Sequence, residues 1–171
     1  YSKKLSGYNL KSSENDLRDA RYAVFNEFIK QYDNAKIATA HTLDDQIETF
    51  FMRLAKGSKL KGLCGIPVKR DMFIRPMLNL TKKEIYQFAS EKKISYREDY
   101  TNKDINKLRN RIRHQLIPEL IDVFGEVFYK GFQQSQFDLN EIHAVFIRNM
   151  ESITDKYLRV EDNGIEIDIN S

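Results

Sequence analysis

Cysteine is almost absent from this chain of 171 residues: Cys64 stands alone. One thiol excludes an internal disulfide framework and every zinc or iron–sulfur site built from several cysteines, which points to the cytoplasm. Long apolar runs are missing too. None approaches the roughly 20 residues that cross a bilayer, so no membrane partner is expected. The opening YSKKLSGYNL has neither the apolar core nor the cleavage site of a secretory leader. It also lacks an initiator methionine, and a polar sequence that starts at Tyr1 reads as cropped from a longer protein. A strong charge of one sign is lacking as well. The net charge is only +3, so any nucleic-acid footprint has to come from local clustering. What is there is 41% hydrophobic and 31% charged, a globular mixture sized for one ordinary domain with an appendage.

The pattern of apolar positions alternates between helical and strand-like stretches. Residues 13–32 read as an amphipathic helix with Ser13 as N-cap and Leu17, Phe25, Phe28 and Tyr32 on its buried face. AKIATA (35–40) reads as a short buried strand. Thr42 and Asp45 make a capping-box-like start for a helix to Ala55 that buries Leu43, Ile47, Phe50, Phe51 and Leu54. Residues 56–67 hold three glycines and a proline, hence a loop. MFIRPML (72–78) reads as a strand that Pro76 places at an edge or an end. Thr81 and Glu84 open a second helix to about Lys92, and ISY (94–96) suits a short strand. A basic helix over 103–117 ends near Pro118, and 121–156 is mostly helical. The end, YLRVEDNGIEIDI, alternates around an Asn-Gly turn and predicts a β-hairpin. This order implies an α/β class: a parallel-sheet domain over 1–120, then a helical C-terminal region over 121–171 ending in the hairpin.

TAHTLDDQIETF (39–50) sets Asp44, Asp45 and Glu48 close behind His41. Asp44 and Glu48 are four apart, where like charges on a helix repel by a few tenths of a kcal/mol. Acids in a first turn suit the helix dipole, but two would suffice. Magnesium or an ammonium group would complete such a cluster. In open α/β sheets ligands bind beyond the carboxyl ends of strands, and His41 with the acidic helix start lies at such an end. In NKDINKLRNRIRHQL, Ile105, Leu108, Ile112 and Leu116 form an apolar stripe. Arg109 and Arg113 line one border of it, placed either to be solvated or to hold phosphates bidentately. Arg18 and Arg21 sit three apart on the first helix, and Cys64 reads as a small packing residue.

AHTLDDQIETFFMRLAKGSKLKGLCGIP, IRPML, EDYTN and RNRIRHQLIPEL occur in that order. Together they resemble the tRNA(Ile)-lysidine synthases, of the PP-loop (adenine nucleotide alpha hydrolase-like) ATP-pyrophosphatase fold; ARYAVF resembles that family's AR…RY.F helix with a shorter interval. The resemblance covers roughly residues 18–120. It implies a ligase that uses ATP and Mg²⁺ to adenylate C2–O of the wobble cytidine in a tRNA(Ile) with a CAU anticodon. The ε-amine of L-lysine then displaces AMP to give lysidine. Free lysine's ammonium, with a pKa of about 10.4, is roughly 4–5 kcal/mol from being a nucleophile at pH 7. A carboxylate pocket that holds the cation and takes its proton addresses that deficit. By resemblance, Asp45 and Glu48 take the lysine amine and His41 belongs with them at the catalytic centre. Arg21 lies near the adenylate or target base, and Arg109 and Arg113 lie against the tRNA or AMP phosphate. Asp44 is structural or metal-facing, and no protein metal site is otherwise expected.

The family's ATP site depends on an SGGxDS loop, and this chain has only LSGY at 5–8. The resemblance therefore implies a fragment that lacks its phosphate cradle and is inactive alone. Two other readings stand beside it: a PP-loop tRNA thiolase, against which the missing cysteine pairs argue, and a non-catalytic RNA-binding fragment.

Overall fold

The computed structural model describes residues 14–32, 34–97, 107–161 and 164–167. They form two compact units: the part up to His41 together with Pro67–Leu78, and Thr42–Ile66 together with the chain from Asn79 on.

In the first unit, α1 (Glu14–Ile29) buries Ala20. It sets Tyr22 and Phe25 against Phe73, with ring centroids 4.8 and 6.0 Å apart. The helix stops at Ile29, so Tyr32, expected on the buried face, is exposed. Ser13, the expected cap, lies outside the described residues. β1 (Ile37–Ala38) pairs in parallel with β3 (Phe73–Ile74), with Ile37 opposite Phe73. β2 (Lys69–Arg70) adds to the other side of β3 antiparallel, giving the order β1-β3-β2. The parallel pair was expected. The antiparallel strand was not, because Lys69–Arg70 has no apolar alternation to announce it. β3 is shorter than 72–78 because Pro76 has no N–H to donate. Arg75, just past β3, is buried, and its Nη1 donates to the Pro67 carbonyl at 2.7 Å.

The second unit is helical. α2 (Leu43–Leu54) starts at Thr42 with a reciprocal capping box to Asp45. Its apolar face, Leu43 and Ile47, enters a core with Ile112, Ile117 and Phe132. Phe50 and Phe51 pack on that core half-buried, whereas Leu54, expected inside, is exposed at the helix end. The glycine-rich loop contains a single helical turn, α3 (Leu60–Leu63). α4 (Lys82–Glu91) has the second capping box, Thr81 with Glu84. No strand forms at 94–96. The EDYTN motif (98–102), LSGY (5–8), Ile105 and Asn106 lie outside the described residues.

α5 (Leu108–Arg111) runs into a π-helical turn over Ile112–Leu116 and on into α6 (Ile117–Phe124). The expected end near Pro118 is not an end. In a regular α-helix the Pro118 ring would meet the carbonyl of His114. The widened turn avoids this, with the Ile117 N–H donating to the Ile112 carbonyl. It also changes the phase. Ile117 is buried in place of the expected Leu116, which is exposed along with Leu108. α7 (Val127–Tyr157) is a single helix of 31 residues. β4 (Leu158–Glu161) and β5 (Gly164–Ile167) form the expected hairpin, with Gly164 paired to Glu161 inside the ladder. Asn163 lies outside the described residues. Among the described residues no helix is long and apolar enough to cross a membrane.

Candidate functional site

The three acids at the start of α2 answer to different partners. Asp44 Oδ2 accepts the backbone N–H of Lys82 at 2.7 Å, at the first turn of α4. The Leu43 N–H donates to the Leu80 carbonyl at 2.9 Å, so the starts of α2 and α4 are tied together. Asp45 Oδ2 closes the capping box, accepting from the Thr42 amide at 2.9 Å and its hydroxyl at 3.0 Å. Its other oxygen, Oδ1, accepts from Arg109 Nη2 at 3.0 Å and Arg113 Nη2 at 3.4 Å.

Glu48 is the centre of the arrangement. Its side chain is 0% exposed. Oε2 accepts Arg109 Nε at 2.6 Å and Arg113 Nη2 at 3.1 Å, and Oε1 accepts Arg113 Nε at 2.5 Å. A carboxylate taken out of water costs several kcal/mol unless its charge and lone pairs are met. Here two guanidiniums meet both. Arg109 and Arg113 are one helical turn apart, which is why both reach the same acid. The repulsion among three neighbouring carboxylates is removed by giving each a cation or a helix N-terminus.

Burial pushes the Asp45 carboxyl up, but the Thr42 amide, Arg109 and Lys82 together hold it below its ordinary value. The half-buried Lys82 ammonium is pushed down, first by burial and then by Arg113, against the pull of Asp45, Glu48 and Asp44. Burial, followed by the nearby Asp44, Glu126 and Glu84 charges, raises the Tyr129 phenol to about 12. Lys82 was not singled out from the sequence. Its signal was the basic pair inside the Thr81–Glu84 capping box.

Four of the six expected site residues therefore meet in one unit: Asp45, Glu48, Arg109 and Arg113. The other two are in the first unit. His41 Nδ1 lies 2.9 Å from the Thr39 hydroxyl, just past the carboxyl end of β1. Arg21 lines a cavity of about 490 Å³ with Val24, Phe25, Phe28 and Ile37. Cys64 is buried, its thiol donating to the Leu139 carbonyl at 3.5 Å and pushed up in pKa by burial. That is the packing role expected of it.

Among the described residues no three His, Cys, Asp or Glu side chains are grouped to hold a metal ion.

A family model described as a PP-loop domain matches residues 3–120. The chain is 45% identical over 93 residues to the tRNA(Ile)-lysidine synthase of Treponema denticola, covering 53% of this chain and 20% of that protein. It is 46% identical over 90 residues to that of Bacillus anthracis, covering 50% and 19%. To that of Chlorobaculum tepidum it is 39% identical over 95 residues, covering 56% and 29%. The chain spans less than a third of the length of these curated relatives.

Proposed function

This chain belongs to the PP-loop domain family, an ATP-using family, and from that premise we propose that it is part of a tRNA(Ile)-lysidine synthase. The complete enzyme adenylates the wobble cytidine of a tRNA(Ile) with a CAU anticodon and joins L-lysine to its C2. The observation that carries the reading is the union of the HxxDDxxET and RNxxR segments. Asp45 and Glu48 meet Arg109 and Arg113 across 61 to 68 residues of sequence. The named relatives are lysidine synthases matched over about half of this chain.

The residues divide the work by exposure. Glu48, with both oxygens engaged and no exposure, fixes the two guanidiniums. Arg109 and Arg113 keep side-chain exposures of 37% and 17%, and as guanidiniums at the site they serve the tRNA or AMP phosphate. Asp45, 13% exposed, is the acid that receives the lysine ammonium beside Glu48 and takes its proton. His41 and Arg21 serve the adenylate or the target base. The complete enzyme uses ATP with Mg²⁺, and among the described residues no three His, Cys, Asp or Glu side chains are grouped for the metal. Catalysis would lie in the part up to residue 120 and in the cytoplasm.

The test is incorporation of labelled L-lysine into a tRNA(Ile) transcript by the full-length protein with ATP. Label appearing at the wobble cytidine, and not in a transcript with that base changed, is expected. Label absent from both would overturn the reading.

A further inference from the structure

α4 has a surface that this chemistry does not use. Tyr86 and Tyr96 are 46% and 55% exposed, yet their rings lie together, with centroids 5.2 Å apart and planes tilted by 35°. The chain turns back to make this contact. Lys93 takes a left-handed conformation with φ 52°, and the Ile94 N–H donates to the Ala89 carbonyl at 2.8 Å. The stretch 82–97 is net basic: Lys82, Lys83, Lys92, Lys93 and Arg97 against Glu84 and Glu91. Lys83 is bonded to Glu126 at 2.6 Å.

Position adds to composition. Tyr86 is four residues from Lys82 and so on the same side of α4, about 6 Å further along the axis. Lys82 is the residue within electrostatic reach of Arg113, Asp45 and Glu48. The distance along the helix is about two stacked-base steps of 3.4 Å. Unpaired RNA bases are held by stacking on aromatic rings beside a basic surface that tracks the backbone. An apolar protein partner would offer no counter-charge to this net basic stretch.

We propose that Tyr86 and Tyr96 form a stacking platform for an unpaired RNA base within a few nucleotides of the one held at the Asp45–Glu48–Arg109–Arg113 site. This rests on the reading of the substrate as a tRNA and adds which side chains select an open loop over a helix.

The experiment uses the full-length protein and a 2-aminopurine-labelled RNA hairpin whose seven-base loop contains CAU, with a fully paired duplex as control. Tyr86→Leu and Tyr96→Leu keep apolar bulk and remove the aromatic face; Tyr86→Phe and Tyr96→Phe keep the face. Each Leu variant should weaken hairpin binding about 5- to 150-fold and abolish the fluorescence quench, with duplex binding unchanged and the Phe variants near wild type. Hairpin affinity within twofold of wild type in both Leu variants would overturn the platform, as would equal losses on duplex and hairpin or equal losses in the Phe variants. Lysine incorporation by the wild-type protein is scored separately. A protein that makes lysidine but shows none of these differences loses the platform alone, and one that makes no lysidine loses the wider reading.

Discussion

Glu48 has no solvent to fall back on, so its two guanidinium partners decide whether its charge is tolerable. Replacing it by Gln keeps the shape and removes the charge, leaving Arg109 and Arg113 with Asp45 as their one shared acid among the described residues. Breaking a buried ion pair from one side costs about 3–5 kcal/mol. Because the arginines keep some exposure, the lower end is expected, about 3 kcal/mol by urea denaturation. A loss under about 1 kcal/mol would mean that water reaches the site. Asp45 adds a pH dependence. Its folded pKa lies below its ordinary value of 3.8, so the unfolded chain binds the proton more readily. Its contribution is complete above the unfolded value and is lost as pH falls through the folded one. Asp45→Asn should therefore flatten the fall in stability below about pH 4, measured as midpoint against pH. At this scale the sequence singled out the four residues that meet but not their partnership. Helical spacing shows which side chains share a face; it does not show which two faces meet.

Elements were legible where a local rule sufficed. Both capping boxes, at Thr42 and Thr81, formed as read, because each is a contact among four consecutive residues. The stripe through Leu108, Ile112 and Leu116 failed because it assumed 3.6 residues per turn across a segment that adopts a wider one. α3 and β2 were missed because one turn and two residues are too short to show a period. The glycine loop yields a prediction by contrast. Gly57 and Gly65 both have positive φ, 67° and 73°. A Cβ on Gly57 meets nothing, whereas one on Gly65 would sit 2.4 Å from Gln46 Oε1. That oxygen accepts the Ile66 N–H at 2.6 Å, so it cannot retreat without losing a bond. Gly57→Ala should cost about 1–2 kcal/mol through backbone strain alone. Gly65→Ala should cost about 1 kcal/mol more, through the displaced bond. Equal melting temperatures for the two variants would refute the contrast.

At the scale of the molecule the expected site residues divide between the units: the ion-paired four lie in one, His41 and Arg21 in the other. Sequence order anticipated the α/β character and the terminal hairpin. It did not anticipate this interleaving, in which the chain leaves the first unit after His41 and returns at Pro67, since no composition shift marks either crossing. If Asp45 receives the lysine ammonium, the two half-reactions of the full-length enzyme separate. Asp45→Asn should spare pyrophosphate release and lower apparent lysine affinity by about 10- to 150-fold, the value of a charge-assisted bond. Equal losses in both half-reactions would instead assign Asp45 to orienting the arginines.

The wide turn before Pro118 has a further consequence. Arg109 and Arg113 reach Glu48 because they are four residues apart, whereas Ile112 and Ile117 reach the core although they are five apart. One stretch of chain keeps two rhythms at once. Substitutions there chosen only to make a better helix would choose between them, strengthening the coil while detuning either the arginines or the floor beneath them.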